Sequence, residues 1–184
     1  MSARPTRRPV VFLDRDGTII EDVHYIARPD DVTLIEGAAH AIRRLNRAGW
    51  AVVVVTNQSG IGRGKLSEAD YERVRARVDE LVESQGAMID RHFHCPHAPG
   101  DGCACRKPGT LLHRQALAAL DLDPTRVVTV GDRWRDIEPG LALDGRGILV
   151  PSPDTPTDDM ERAEREASLV PTLDAAVDLL LGAG

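Results

Sequence analysis

Four short, largely apolar runs limit what this chain can fold into more than anything else in it. They are Val10-Val11-Phe12-Leu13, Ala51-Val52-Val53-Val54-Val55, Val127-Val128-Thr129-Val130 and Gly147-Ile148-Leu149-Val150. Each is too short for a buried helix and rich in β-branched residues, so each reads as a strand covered on both faces. Helical patterns separate them. Ala38, Ala41, Ile42 and Leu45 recur at helical spacing within 36–48, and Gly49 supplies the stop signal. Ser67, with Asp70 three residues on, caps a helix expected to run to about Gln85. Helices are also expected over 110–120, up to about Leu143, and over 172–181. A further strand is expected over 88–93. The polar, proline-containing stretch 151–167 reads as a surface connection. Strands alternating with helices predict an α/β fold: a three-layer, Rossmann-like parallel sheet with helices on both faces. At 184 residues the chain is expected to form one domain, 1–184.

In such a sheet, ligands bind outside the carboxyl ends of the strands. Asp14 and Asp16 end the first run, Thr56 and Asn57 the second, and Asp132 the third. The first strand end is the densest, Asp14-Arg15-Asp16-Gly17-Thr18. Two carboxylates two residues apart share a face if the strand persists, and they repel unless a proton or a cation intervenes. Hard oxygen ligands favour Mg²⁺, which completes its shell with water and phosphate oxygens. The plain alternative for these residues alone is a strand running into an Asp-Gly turn. Three strand ends offering polar groups to one crevice favour a site.

Composition narrows the partners. The hydrophobic fraction is 42% but aromatics are only 3%, so Val, Leu, Ile and Ala must pack the core. A net charge of −6 argues against a general nucleic-acid binder, and no apolar run approaches the ~18 residues of a membrane span. The basic stretch Arg4-Pro5-Thr6-Arg7-Arg8 lacks an apolar segment after it and does not read as a secretory signal. A cytoplasmic monomer acting on a small phosphorylated metabolite is the expectation, with no nucleic-acid or membrane partner.

The three cysteines fall within 95–105 and do not read as a disulfide framework. Cys95-x-His97 and Cys103-x-Cys105 offer three thiolates and an imidazole, a set that surrounds Zn²⁺ tetrahedrally and leaves no open position. Such a zinc is structural, pinning the loop 95–105 and placing Arg106 and Lys107. The alternative is a reduced cysteine cluster without metal.

The groups at the strand ends suit phosphoryl chemistry. Asp14 can attack phosphorus as a carboxylate nucleophile. Asp16 can protonate the leaving oxygen and then take a proton from water. Mg²⁺ would lie among Asp14, a main-chain carbonyl near Asp16, and Asp132. Thr56 supplies a hydroxyl, Asn57 further donors, and Lys107 a point charge.

Asp14-Arg15-Asp16-Gly17-Thr18, Thr56-Asn57, Lys107-Pro108 and Gly131-Asp132 with Asp136 resemble, in order, the four motifs of the haloacid dehalogenase-type phosphatases, covering residues 10 to about 140. Within that family, 56–64 and the Cys/His loop resemble the branch acting on heptose bisphosphates at the 7-phosphate. The histidinol-phosphate phosphatases share the Cys/His loop and are the alternative. Further alternatives are a polynucleotide 3′-phosphatase and a zinc-stabilised binding module without catalysis.

The resemblance implies a capless core whose pocket is shaped by three loops. It makes Asp14 the nucleophile, Asp16 the acid/base, Thr56 and Lys107 the phosphoryl stabilisers, and Asp132 a metal ligand. It sets Asp22 and Tyr25 at the substrate mouth, Asn57, Gln58, Ser59 and Arg63 along the substrate, and Arg106 at its distal part. Arg133 adjoins the Mg²⁺ site without its side chain being a ligand, and stands where many heptose enzymes carry Lys. Lys107-Pro108-Gly109 is shorter than the Lys-Pro-x-Pro-Gly common in the family.

Other chemistry-bearing residues read as structural. His92 and His94 alternate on a strand, His40 and His113 are expected on helix surfaces, and Trp134 is expected to pack beside the site. Arg28, Arg73, Arg75, Arg77 and Arg135 read as solvated charges. Gly60, Gly62 and Gly64 are expected to free a loop for unusual backbone angles.

Overall fold

Side chains alternate across a strand, so every buried run must be covered twice. Residues 7–182 are described in the computed structural model, and there the runs form one six-stranded, all-parallel sheet. Its strands are β1 (Val10–Leu13), β2 (Ala51–Asn57), β3 (Arg91–Cys95), β4 (Val127–Gly131), β5 (Arg146–Leu149) and β6 (Ser168–Leu169). They lie in the order β3-β2-β1-β4-β5-β6. The helices are α1 (Ala38–Arg47), α2 (Ser59–Gly62), α3 (Glu68–Ser84), α4 (Leu111–Ala119), α5 (Trp134–Ala142), α6 (Thr157–Glu166) and α7 (Leu173–Leu181). No helix is long and apolar enough to cross a membrane.

The alternation divides the core. Val11, Leu13, Val52, Val54 and Val130 pack with Ile42 and Leu45 of α1, Val74, Val78 and Val82 of α3, and Ala176 and Val177 of α7. Val10, Phe12, Val53 and Val55 face the other way, onto Leu112 and Ala116 of α4. On that side Leu149 meets Ile137 of α5 and Ala163 of α6. Each fully buried aliphatic side chain contributes ~1.5–3 kcal/mol, so the two faces outweigh any single polar contact in holding the sheet. The expected three layers are present. β1 pairs with β2 on one side and β4 on the other, with Leu13 opposite both Val54 and Val130. That reversal of strand order opens a crevice at the carboxyl ends of β1, β2 and β4.

Four expectations need correction. The third strand spans Arg91–Cys95 rather than 88–93: Asp90 N still donates to Val52 O (2.8 Å), but Val52 N donates to the Asp90 carboxylate (2.8 Å) in place of a main-chain carbonyl, and the ladder ends there. The stretch 151–167 holds α6, with Asp158 and Asp159 favourably placed at its N-terminus; its only fully buried residue is Ala163, too thin an apolar stripe to read. Gly60 and Gly62 belong to the short helix α2, and only Gly64 of the three has positive φ. A Cβ on Gly62 would stand 2.8 Å from both Pro96 O and Ala98 N, so close packing against the Cys/His loop requires that glycine. Finally, His113 is buried, its ring edge-on to Phe12 at 4.9 Å. Of the N-terminal basic stretch, Arg4, Pro5 and Thr6 lie outside the described residues, while Arg8 pairs with Asp90 at 2.7 Å.

Candidate active site

β1 delivers Asp14 to the crevice, and the chain then curls. The N–H groups of Thr18, Ile19 and Ile20 all point to the Arg15 carbonyl, so the strand stops at Leu13 and Arg15 turns inward. The two acids therefore meet different cations. Asp14 Oδ1 accepts from Lys107 Nζ at 2.6 Å, whereas Asp16 is gripped by the Arg15 guanidinium at 2.9–3.1 Å. Gln58 Nε2 donates to Asp16 Oδ2 (2.9 Å) and to Thr56 Oγ1 (2.8 Å). Gly17 makes this turn possible: its φ is +81°, and a Cβ there would lie 2.6 Å from Asp132 Oδ2.

Lys107 is 3% exposed and bridges Asp14 to Asp136, whose Oδ1 lies 2.8 Å from Nζ. Burial alone would lower the lysine's pKa, but Asp136 and Asp14 outweigh it and the pKa is raised. Asn57 fixes the lysine's main chain: its amide donates to Lys107 O (3.2 Å) and accepts from Lys107 N (3.0 Å). In this structure Asn57 is a holder of Lys107, with both ends of its amide engaged.

Asp14, Asp132 and Asp136 bring carboxylate oxygens within 4.8 Å of one another, all buried. Asp136 Oδ2 also caps α5 through Arg133 N at 3.1 Å, which engages both of its oxygens. Asp14 and Asp132 each keep one oxygen without a hydrogen bond to a described residue, since Asp132 Oδ2 accepts from Ser152 Oγ at 2.7 Å. Burial pushes Asp14 to about 8 despite Lys107, with Asp136, Asp16 and Asp132 adding to the rise. Burial likewise pushes Asp132 to about 6. Three buried carboxylates facing one lysine leave negative charge uncompensated, and a hard divalent cation beside Asp14 and Asp132 would supply the balance. The donor set fits Mg²⁺.

The cleft above these groups encloses about 180 Å³. Asp14, Asp16, Asp22, Tyr25, Thr56, Asn57, Gln58, Ser59, Asp132 and Arg133 all line it. His24 and Tyr25 stand at the rim with φ of 51° and 54°. Arg63 is exposed beyond α2 and does not line the cleft, nor does Arg106, whose Nη1 donates to His97 O at 3.4 Å. Arg15, Arg135 and Asp136 do line it. Arg135 makes no ion pair with a described residue. An arginine three residues past Asp132, inside the acidic motif that follows β4, was the available signal for it.

The Cys/His loop gathers as expected. Cys95 Sγ lies 3.5 Å from Cys103 Sγ, 3.1 Å from Cys105 Sγ and 3.5 Å from His97 Nδ1, and that nitrogen lies 3.2 Å from Cys105 Sγ. A tetrahedron with Zn–S bonds of about 2.3 Å has edges of roughly 3.8 Å, so small outward shifts accommodate zinc. Burial holds the Cys95 thiol up at about 12 and raises Cys105 as well. Against burial, hydrogen bonds with Cys105 and Cys95 lower the Cys103 thiol, and a soft divalent ion would favour the thiolate at all three. His94 stays outside the set, paired with Glu68 at 2.9 Å, and His92 pairs with Asp79 at 2.6 Å. Trp134 is buried beside the site under the Arg162 guanidinium.

Known proteins share both sequence and fold with this chain. A family model described as polynucleotide kinase 3 phosphatase matches residues 9–136, and one described as HAD-hydrolase-like (haloacid dehalogenase) matches 104–176. The D-glycero-beta-D-manno-heptose-1,7-bisphosphate 7-phosphatase of Pseudomonas aeruginosa is 42% identical over 144 residues, 78% of this chain and 81% of that one. The enzyme of the same description from Escherichia coli K12 is 37% identical over 150 residues, 77% and 78% of the two chains. A crystal structure of D,D-heptose 1,7-bisphosphate phosphatase from B. bronchiseptica, complexed with magnesium and phosphate, superposes with a TM-score of 0.86 at 31% identity, covering 96% of this chain and 99% of that one. The chain belongs to the haloacid dehalogenase-type phosphatases, on the branch that holds these heptose-bisphosphate enzymes.

Proposed function

We propose that this chain is a Mg²⁺-dependent phosphatase that removes the 7-phosphate of D-glycero-D-manno-heptose 1,7-bisphosphate through an aspartyl-phosphate on Asp14. The single observation that carries the reading is the Asp14 carboxylate, one oxygen fixed by Lys107 and the other open beside Asp132, at the floor of a cleft lined by Arg15, Arg133 and Arg135. The relatives' substrate supports the choice of sugar.

In this reading Lys107 aims Asp14 and, together with the cation, favours its ionised form against burial, and the lysine's charge meets the non-bridging oxygens of the entering phosphate. Mg²⁺, held by Asp14, Asp132 and the Asp16 carbonyl, would supply further positive charge against those oxygens. One Asp14 carboxylate oxygen bonds to phosphorus as the sugar O7–phosphorus bond breaks, and Asp16 gives its proton to O7. Water then attacks the aspartyl-phosphate, Asp16 takes its proton, and inorganic phosphate leaves with Asp14 restored. Thr56, 1% exposed, accepts from Gln58 and has its own hydroxyl hydrogen to donate to the phosphate. Arg15 and Gln58 hold Asp16 at the cleft edge, and its proton transfer requires that this grip loosen.

Zn²⁺ on Cys95, His97, Cys103 and Cys105 serves folding in this reading. All four positions are protein ligands, so no water is activated there. The ligand loop runs directly into Arg106 and Lys107, and Gln58 N donates to Cys95 O at 2.8 Å. A fixed loop therefore fixes the catalytic lysine.

The test is steady-state phosphate release with Mg²⁺, comparing both anomers of heptose 1,7-bisphosphate with histidinol phosphate. A large kcat/KM advantage for a heptose bisphosphate is expected, since that ratio reports differential transition-state binding. A preference for histidinol phosphate would keep the nucleophile and overturn the substrate.

A further inference from the structure

The connection from β5 to α6 crosses over to the β4–α5 turn and ties it down at three places, and α6 adds a fourth. Ser152 Oγ donates to Asp132 Oδ2 at 2.7 Å, and Thr155 Oγ1 donates to the Asp132 carbonyl at 2.8 Å. The Arg133 guanidinium donates to the Asp154 carbonyl, and Trp134 N donates to Asp159 Oδ2 at 2.8 Å. The strap is closed on itself: Ser152 N donates to Thr155 Oγ1 at 2.8 Å, and Thr155 N to Ser152 O at 3.1 Å.

Most such contacts between a loop and a turn end on main-chain atoms and serve packing. One here does not, because the Ser152 hydroxyl meets a carboxylate oxygen of the residue that faces Asp14. Asp132 is 3% exposed, so a rotation of its carboxylate would leave Ser152 unpaired and turn the wrong oxygen to the cleft. Thr155 fixes the backbone of the same residue, and the two hydroxyls stand 3.3 Å apart. Side chain and main chain of Asp132 are thus held from one segment. Partners behind a ligating carboxylate typically change metal affinity by ~10–100-fold when removed.

We propose that Ser152 and Thr155 are positioning residues for Asp132, fixing which carboxylate oxygen is presented to the divalent cation and thereby setting the affinity of that site. The proposal rests on the reading of Asp14 and Asp132 as Mg²⁺ ligands. It gives the β5–α6 connection a role beyond packing, through residues that do not line the phosphate-facing cleft.

The test uses the zinc-containing protein, full length, and measures Mg²⁺ affinity directly by calorimetric titration and by the Mg²⁺-dependent rise in melting temperature. Ser152→Ala is expected to weaken Mg²⁺ binding by about 10-fold or more. The melting temperature of the Mg²⁺-free protein stays near wild type, and kcat at saturating Mg²⁺ stays within about 3-fold. Ser152→Thr, which keeps the hydroxyl, is expected to restore most of the affinity, and Thr155→Val to weaken it less than Ser152→Ala. Unchanged Mg²⁺ affinity in Ser152→Ala, with Mg²⁺ bound by the wild type, would overturn the proposal and leave the strap as packing. Absence of Mg²⁺ binding by the wild-type protein would instead overturn the underlying reading of the aspartate cluster.

Discussion

Two clusters of ligating side chains lie close in this fold and are built in opposite ways. The carboxylates of Asp14, Asp132 and Asp136 stand on the ends of β1 and β4 and the first turn of α5, elements whose backbones are fixed by the sheet. The thiols and imidazole of Cys95, His97, Cys103 and Cys105 stand mostly on a loop, with Cys95 at the end of β3 and Cys103 and Cys105 packed against the core beside it. The first cluster exists before any cation arrives, and its two open oxygens make it a place for chemistry. The second, in the proposed reading, is completed by zinc and then has no open position. A rigid scaffold can leave a metal site incomplete for substrate to finish, whereas a loop that borrows its stability from a metal must close the site.

The largest effect expected is on the sheet-built cluster. Asp14→Asn keeps the shape and removes the nucleophile, so phosphate release falls by more than about 10³-fold while the melting temperature stays level or rises. A rise is the informative outcome, because burial disfavours the Asp14 charge that the substitution removes. Unchanged phosphate release would break the account of the site.

The loop-built cluster is expected to answer the other way. Zinc removal, verified by metal analysis, lowers stability by about 3 kcal/mol or more, a shift of roughly 6–12 °C for a chain of this size. Activity falls with it through Lys107. Full activity after zinc removal would contradict the pinning role.

His113 sits at the seam between the regions, on α4 just past the loop, buried against Phe12 and facing the charge of Lys107. Burial first, and Lys107 second, hold its pKa down at about 3 from 6.5. Its folded pKa is depressed, so its contribution is fully present above about pH 6.5 and is lost as pH falls from 6.5 towards 3. At about 1.4 kcal/mol per unit this is a loss of up to a few kcal/mol. His113→Leu is expected to flatten acid unfolding over that window in a pH series of melts. An unchanged acid limb would assign acid sensitivity elsewhere.

The smallest effect sharpens the substrate. Arg135 lines the cleft without an ion pair to a described residue, which leaves its charge available to the phosphate that is not cleaved. Arg135→Ala is expected to raise KM for the heptose bisphosphate by about 10-fold and to leave KM for a small monophosphate nearly unchanged, at similar kcat. Equal effects on both substrates would move Arg135 to the transferred phosphate.

What the sequence made readable follows the same division. Asp14, Thr56 and Asp132 could be found because each ends a buried strand, and strand ends in a parallel sheet converge. The Cys/His ligands could be found because their chemistry is local in the chain. The relation of Asp14 to Asp16 could not, since it assumed an extended chain where three N–H groups wrap around the Arg15 carbonyl. His113 was misplaced although Leu112 and Ala116 share its face of α4, because a polar residue on an apolar face reads as an edge. Ser152 and Thr155 left no periodic signal: they act through hydroxyls from a connection with almost no buried apolar residues, and only the fold brings them to Asp132.

The measurement that tests the central contrast most directly is a metal swap on one preparation, with phosphate release and melting temperature read together. Mg²⁺ is removed and restored with zinc retained, and zinc is then removed with Mg²⁺ saturating. The account predicts that Mg²⁺ removal abolishes turnover reversibly with a small change in melting temperature, and that zinc removal lowers the melting temperature sharply. Turnover that survives without Mg²⁺ but needs zinc would contradict it, and would move the chemistry to the loop.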